Sequence, residues 1–311
     1  MVARSLVSCF LVLSFVATSL VQPAQAQVTL KHKFSPGRKY AAETTVQIDQ
    51  TLTIAGMDIE TKAETNVVQL ATNEKPDENG NINVKTKLDS LRVSISAAGM
   101  DYQFDSKSPD DKGTSQLEMI RGIHKAIVGM ESTVVYDAKG RVSEVKIEDN
   151  RIASLPVETQ KYAASQLDPE HLKKQANQVL DQLPDQPVKV GDTWTRTETA
   201  DLGASQVMTF EATYTYEGTV DQNNKTVHKI TKKVTSASLS IGADSPVTLK
   251  LKESKLKPEK SSGELLFDNE DGSFVSQAGS VQIVGDLTFE AGGNELPAKL
   301  DLTMKSQTAT R

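Results

Sequence analysis

Cysteine is almost absent from this chain of 311 residues. The only one, Cys9, lies in an apolar N-terminal segment that has the character of a leader peptide. Once that segment is removed, the chain can form no disulfide and offers no thiol nucleophile. Its stability must then come from an apolar core and from hydrogen bonds between strands.

Clustered positive charge is also missing, and aromatic residues are few. The chain has 35 Lys and Arg against 41 Asp and Glu, and a formal net charge of −6. Basic residues are scattered, whereas a nucleic-acid-binding surface gathers them on one face, so we expect no nucleic-acid partner. Aromatic residues make up 5% of the chain, which argues against a platform of rings that stacks on sugars.

Motifs for catalysis, cofactors or metals are absent as well. There is no nucleophile elbow, no P-loop and no dinucleotide-binding glycine pattern. The histidines lack metal-ligand spacing and are interpreted as ordinary surface or interface residues: His32, His124, His171 and His228. The sequence therefore predicts no catalytic, cofactor-binding or metal-binding residue, and an enzyme is the less favoured interpretation.

The N-terminus has the three parts of a secretory signal peptide. Arg4 precedes an apolar run over residues 6–21, and Ala24 and Ala26 occupy the −3 and −1 positions of a small-residue cleavage site. We predict cleavage between Ala26 and Gln27 and export by the general secretory pathway. The expected location is the periplasm or the exterior.

Two other interpretations of the N-terminus were weighed. The apolar run is about long enough for an uncleaved anchor helix, but Pro23 and the Ala-Gln-Ala step favour cleavage. A lipoprotein signal ending at Cys9 would leave most of the apolar segment beyond the lipidated cysteine. No later stretch approaches spanning length, so we expect no membrane span after cleavage.

Most of the remaining chain alternates between polar and apolar residues, which is typical of half-buried strands. Residues 40–54 show this clearly. In residues 81–96 the alternation changes face between Leu88 and Leu91, which predicts a β-bulge or a bend. Further strands are expected over residues 213–219, 226–241, 247–256, 263–267, 280–290 and 296–304.

Helical spacing is confined to the middle of the chain. Helices are expected over residues 115–128 and 157–167, and a third begins at Asp168, an N-cap followed by Pro169, and stops at Pro184. The apolar stripe of this third helix consists of Leu172, Ala176, Val179, Leu180 and Leu183.

Acidic segments form turns between the expected strands. Residues 268–272 have the oxygen density of a calcium loop, but the strand pattern resumes at once and a hairpin turn is favoured. Residues 77–80 are interpreted in the same way. Residues 105–111 are interpreted as an exposed acidic loop, with a weak cation site as the alternative.

The two halves of the chain share a pattern that suggests an internal duplication. Gly37 and Tyr40 open one strand as Gly191 and Trp194 open another, and both aromatic residues are expected to be structural and to fill the sheet cores. A chance likeness between Thr-rich strand arrays is the alternative. The predicted fold is α+β and mainly antiparallel β, with two similar long-stranded sheets joined by a short helical segment.

We divide the chain accordingly. Residues 1–26 are the signal peptide, and residues 27–112 are the N-terminal β half. Residues 113–187 are a helical connector with a β-hairpin, and residues 188–311 are the C-terminal β half. One compact domain over residues 27–311 is the alternative.

Four stretches combine strand starts with structural turns, at residues 34–40, 102–106, 126–142 and 183–194. Together they resemble an uncharacterised family of secreted, β-rich bacterial proteins of the planctomycete type, a domain of unknown function. The resemblance implies export, a mostly antiparallel β fold and no assigned activity.

The favoured function is a non-enzymatic envelope or periplasmic binding or scaffold protein. Long strands covered by helices can enclose a cleft for an apolar or lipid ligand. One alternative is a structural module that assembles with other envelope proteins through strand edges. A less favoured alternative is a hydrolase whose site is built from distant carboxylates.

Overall fold

A single antiparallel sheet dominates the protein. The computed structural model describes residues 27–97, 99–108, 118–148, 151–203, 205–242 and 249–311. The strands in these ranges are β1 (Lys39–Ile54), β2 (Met57–Asn73), β3 (Ile82–Ala97), β4 (Met100–Asp105), β5 (Glu131–Tyr136), β6 (Val142–Ile147), β7 (Thr193–Gly203), β8 (Gln206–Gln222), β9 (Lys225–Ile241), β10 (Lys250–Asp268), β11 (Ser273–Ala291) and β12 (Asn294–Thr310).

The strand order is β6-β5-β3-β2-β1-β12-β11-β10-β9-β8-β7, and β4 also pairs with β3. The prediction of a mainly antiparallel β fold is confirmed. The expected pair of sheets is instead one sheet, because β1 and β12 pair along most of their length and join the two halves. The duplication is not confirmed.

Three α-helices lie between β4 and β7 in the chain, as expected. They are α1 (Glu118–Ile127), α2 (Val157–Gln166) and α3 (Pro169–Leu180), and a 3-10 helix covers Arg151–Ser154. The Asp168 carboxylate accepts a hydrogen bond from the His171 amide at 2.7 Å, so this side chain caps α3 as predicted. The helix ends at Leu180 rather than at Pro184.

The sheet curls until its two halves face each other. Five strands separate β1 from β7 in the sheet, yet Val46 and Ile48 of β1 line the same pocket as Ala200 of β7. The register places Ile48, Met304 and Val281 side by side on the inner face. The apolar face of the alternating pattern in β1 is therefore the concave face of the sheet.

One end of the curled sheet is closed by an apolar cluster, to which the N-terminal segment adds Leu30. That segment is tied down by a β-bridge between Val28 and Val188 and by the Lys33 amide, which donates to the Gly272 carbonyl at 3.0 Å. The buried members of the apolar cluster are Leu30, Leu183, Val188, Ala212, Tyr214, Tyr216, Ile230, Leu265, Phe267 and Phe274.

Several strand boundaries differ from the expected ones. The bulge in β3 is present, because Val68 pairs with Ser90 and Gln69 pairs with Leu88, which leaves Asp89 unpaired across β2. The two short strands expected over residues 247–256 and 263–267 are one strand, β10, which continues between them through a register shift at Pro258 and Lys260. The β2 strand was missed, since its polar residues fall on both faces.

Candidate functional site

The inner face of β7–β12 and β1 carries a large apolar surface, which we call the trough. Its buried members are Met208, Phe210, Val234, Ile283, Leu287, Phe289, Ala298, Leu300 and Leu302. The apolar residues that pack against them remain partly exposed: Ile48, Leu52, Ile54, Ala200, Leu202, Ala237, Leu239, Ile241, Leu249, Leu251, Leu256, Val281, Leu296 and Met304. The trough is thus only partly covered by the protein itself.

A pocket of about 360 Å³ opens from the trough between β7 and β1. This volume lies within the range of roughly 300–1,000 Å³ that ligand pockets occupy. Its apolar lining comes from five strands besides β7: Val46, Ile48, Phe210, Val234, Val281 and Met304. Alternation in each strand turns these side chains inward, so the pocket depends on the curl of the whole sheet.

A buried ion pair forms the polar floor of the pocket. The Glu198 carboxylate, whose side chain is 10% exposed, accepts hydrogen bonds from the Lys232 ammonium and the Tyr214 hydroxyl. Burial, reinforced by the Glu198 charge, raises the pKa of Tyr214, so its hydroxyl stays protonated and donates. The Lys232 ammonium also lies 5.7 Å from the centre of the Tyr214 ring.

Serine hydroxyls add neutral hydrogen-bonding groups beside this pair. The paired register of β9 and β10 covers only Gly263 to Phe267 of β10. Beyond it, the Val234 amide donates to the Ser261 hydroxyl at 2.8 Å and the Leu239 amide to the Ser254 hydroxyl at 3.3 Å. Side chains therefore bridge the two strands where the pocket begins.

Helix α1 covers the other half of the concave face. Ile120 and Ile127 pack against a cluster of Leu91, Val93, Tyr102 and Phe104 from β3 and β4. The ring of His124 is part of this contact: its Nδ1 lies 2.6 Å from the Tyr102 hydroxyl. Burial, assisted by the Arg121 charge, lowers the pKa of His124 to about 4, so this ring is neutral at pH 7.

Helix α3 links the two outer strands of the sheet. On one side, the Asn177 side chain accepts from the Val142 amide of β6 at 3.0 Å and donates to its carbonyl at 2.9 Å. On the other side, Gln178 accepts from the Thr199 amide of β7 at 2.8 Å and donates to its carbonyl at 3.0 Å. Two neighbouring amide side chains of α3 thus bridge the two edge strands of the open sheet.

The sequence-predicted structural residues lie outside the pocket. Trp194 stacks on Tyr214 at 5.6 Å and donates from Nε1 to the Gln182 carbonyl at 3.0 Å. Tyr40 lies under the Arg38 guanidinium, 5.5 Å from it, and burial raises its pKa. Neither ring is arranged as an exposed stacking platform.

The two predicted glycine turns have the same backbone geometry. Gly37 has a φ of 77° and donates to the Asn73 carbonyl, and Gly191 has a φ of 90° and donates to the Tyr216 carbonyl. Both φ values are positive, a conformation that favours glycine. Of the cleavage residues, Ala24 and Ala26 lie outside the described residues, and Gln27 is the first described residue.

The histidines fall in four separate environments. His32 sits between Phe267 and Phe274, each 5.4 Å away, and burial lowers its pKa to about 4. His228 lies 2.8 Å from the Tyr216 hydroxyl, and His171 lies 3.8 Å from Asp201. Within the described ranges no group of three or more potential metal-ligating side chains occurs.

The acidic turns are structural in the described ranges. Asp268 accepts from the amides of Glu270 and Asp271 and pairs with Lys225 at 3.2 Å, which closes the hairpin between β10 and β11. Asp77 caps its own turn through the amides of Asn79 and Asn81. The predicted loop over residues 105–111 is described only as far as residue 108.

Several carboxyl groups are shifted toward their ionised form. Hydrogen bonds from lysine side chains lower the pKa values of Glu74 and Glu290. Backbone amides do the same for the pKa values of Asp77 and Asp105. A carboxyl group that acts as a general acid needs a raised pKa, and the pKa values of these four groups are lowered.

Sequence reasoning missed the polar residues of the site. Nothing local distinguishes Glu198 from Asp201, the other acid of β7, or Lys232 from Lys233 beside it. Their pairing depends on the register between β8 and β9, which sets Tyr214 opposite Lys232. The one available signal was parity, since Glu198 falls on the same face of β7 as Trp194 and Ala200.

None of the helices in the described ranges combines the length and apolarity needed to cross a membrane.

Solved structures share a distant likeness with this chain. A lipovitellin structure, described by its lipid–protein interactions, is 10% identical with a TM-score of 0.41, covering 89% of this chain and 25% of the lipovitellin chain. This chain therefore spans about a quarter of that protein. A putative outer membrane lipoprotein-sorting protein domain from Vibrio parahaemolyticus is 9% identical with a TM-score of 0.16, covering 84% of this chain and 83% of that domain.

A DUF1329 family protein from Desulfovibrio piger is 5% identical with a TM-score of 0.12, covering 86% of this chain and 84% of that protein. At TM-scores below 0.5 these likenesses support no conclusion about function. No curated protein sequence matches the chain. A family described as a family of unknown function, DUF6263, matches residues 79–263, which is more than half of the chain, and the protein belongs to that family.

Proposed function

We propose that this protein is an exported component of the bacterial envelope that binds an apolar ligand in the pocket of the trough. The observation that carries the proposal is the pocket itself: six apolar side chains from five strands surround about 360 Å³ inside the curled sheet. Burying apolar ligand surface there is favourable by roughly 25 cal/mol per Å². The leader-like N-terminus supports export to the periplasm or the exterior.

The proposed role is binding without chemistry. Glu198, the most buried carboxylate of the pocket, is already engaged by Lys232 and Tyr214. This arrangement holds a charge in place and leaves no obvious base for hydrolysis. Asn177 and Gln178 occupy the backbone groups of Val142 in β6 and Thr199 in β7, which argues against strand addition at these two positions.

The test compares two faces of β1. Ile48→Gln places an amide in the apolar lining of the pocket, while Asp49→Gln changes an exposed residue on the opposite face of the same strand. The ligand probe is N-phenyl-1-naphthylamine, an uncharged apolar dye. We expect dye binding to the unaltered protein and roughly fivefold or greater weakening in Ile48→Gln, because an amide is then buried without a partner.

Asp49→Gln should bind the dye as the unaltered protein does. Thermal unfolding of both variants shows that each is folded. If the folded Ile48→Gln variant binds the dye as tightly as Asp49→Gln, the pocket is not the binding site. If the unaltered protein binds no dye, the proposed function is wrong.

A further inference from the structure

The floor of the pocket carries two opposite charges that neutralise each other. Glu198 and Lys232 both line the pocket, and their carboxylate and ammonium are in direct contact. Their side chains are 10% and 23% exposed, so bulk water screens the pair weakly. A ligand that reaches the floor meets a closed ion pair rather than a free charge.

A third group fixes the orientation of this pair. Tyr214 is fully buried, pairs with Lys232 in the strand register, and donates its hydroxyl to Glu198. Because the carboxylate is held from two sides, it cannot turn away to free the ammonium without losing both contacts. Removing one partner of a buried ion pair is costly because the other charge is left without a counter-ion.

The remaining charges of the pocket wall also have opposite signs. Asp201 of β7 lies 3.8 Å from His171, and Lys305 of β12 is on the exposed side of its strand. Two uncharged hydroxyls lie on the inner face with the apolar lining: Ser261 pairs with Val281, and Ser306 pairs with Val46. Ser262 and Ser280 also line the pocket, but they pair with each other on the face that carries Lys305. The polar end of the pocket therefore offers hydrogen bonds but no net charge.

We infer that the pocket selects an amphiphile with a single apolar chain and an uncharged polar end, such as an alcohol or an ester, over fatty acids and alkyl amines. An uncharged hydroxyl can form hydrogen bonds with Ser261 and Ser306 and with the donors and acceptors of the Glu198–Lys232 pair. A charged end would lose its hydration without gaining a counter-ion, which is unfavourable in a partly dry site. This inference rests on the proposed function.

The test is displacement of N-phenyl-1-naphthylamine by three compounds of equal chain length, each below its aggregation concentration: dodecanol, dodecanoate and dodecylamine. We expect dodecanol to bind at least roughly tenfold more tightly than either charged compound, because a charged end would be buried without a counter-ion. Equal binding of all three, or tighter binding of dodecanoate or dodecylamine, would overturn the inference and leave the proposed function standing. If none of the three compounds displaces the dye, or if the dye does not bind at all, the proposed function is refuted instead.

Two variants test the residues directly. Glu198→Gln keeps an acceptor for Tyr214 but leaves the Lys232 ammonium without its counter-ion. The affinity for dodecanoate should therefore rise roughly tenfold relative to the affinity for dodecanol. The double variant Glu198→Gln with Lys232→Gln has no charge at the floor and should return to the preference for dodecanol. If the Glu198→Gln variant folds and its affinity for dodecanoate does not rise, the Glu198–Lys232 pair does not select the uncharged end. If it does not fold, the double variant and the ranking in the unaltered protein still decide the question.

Discussion

At the scale of single residues, the interior is notable for polar groups that aromatic rings enclose. Glu198 and Lys232 meet at Tyr214, His124 meets Tyr102, and His32 lies between two phenylalanines. Each of these contacts joins different strands or segments. Alternation predicted that β1 and β3 have inner faces, but it could not predict which polar residue would meet which ring.

The neutral state of His32 makes stability depend on pH. Burial lowers its pKa to about 4, from 6.5 in an unfolded chain. Between these values the unfolded chain binds the proton more tightly, so folding stability is present at neutral pH and is lost as pH falls from about 6.5 to about 4. By about pH 5 the loss attributable to His32 is about 2 kcal/mol, and less where water reaches the ring.

Urea unfolding near neutral pH and near pH 5 checks this expectation. His32→Leu keeps an apolar group between Phe267 and Phe274 and removes the titration. Between neutral pH and about pH 5, the free energy of unfolding of the variant should fall by about 2 kcal/mol less than that of the unaltered protein. An equal loss in both proteins would show that His32 does not take part, and would leave His124, whose pKa is also lowered to about 4, as the group to examine.

At the scale of elements, strand and helix identity followed from local patterns. The N-cap at Asp168 and the bulge in β3 were predicted correctly because both depend on neighbouring residues. The prediction of an apolar stripe on α3 was only partly correct, because Leu183 is buried but Val179 is 44% exposed. Helix α3 presents Asn177 and Gln178 to the two sheet edges, and periodicity of apolar residues carries no information about such amide contacts.

The role of α3 gives a prediction at this scale. Gln178→Ala leaves the amide and carbonyl of Thr199 without their partner, so the free energy of unfolding should fall by about 1–3 kcal/mol. Lys174→Ala, at an exposed position of the same helix, should change it by no more than about 0.5 kcal/mol. Urea unfolding midpoints of the two variants give the comparison. Similar midpoints would mean that α3 does not stabilise the edge of β7.

At the scale of the whole molecule, the curl of the sheet creates the pocket. The long pairing of β1 with β12 turns two expected sheets into one, and inward-facing residues of six strands then surround a common space. The sequence predicted strands and an apolar cleft under helices, and it did not predict that one continuous sheet would curl around the pocket. Strand partners far apart in the chain are set by packing and edge contacts, which a single sequence does not display.

Membership of a family of unknown function agrees with the resemblance expected from the turns and strand starts. Export and an origin among planctomycete-type bacteria stay predictions. The central claim, that the pocket holds an apolar ligand, does not depend on either.

The most direct measurement is mass spectrometry of an organic extract of the protein, purified without detergent. We expect an apolar or amphiphilic molecule at close to one per chain in the unaltered protein, and a clear depletion in Ile48→Gln purified in the same way. Asp49→Gln should retain it. An extract of the unaltered protein that contains no such molecule, from a protein that also fails to bind N-phenyl-1-naphthylamine, would contradict the account.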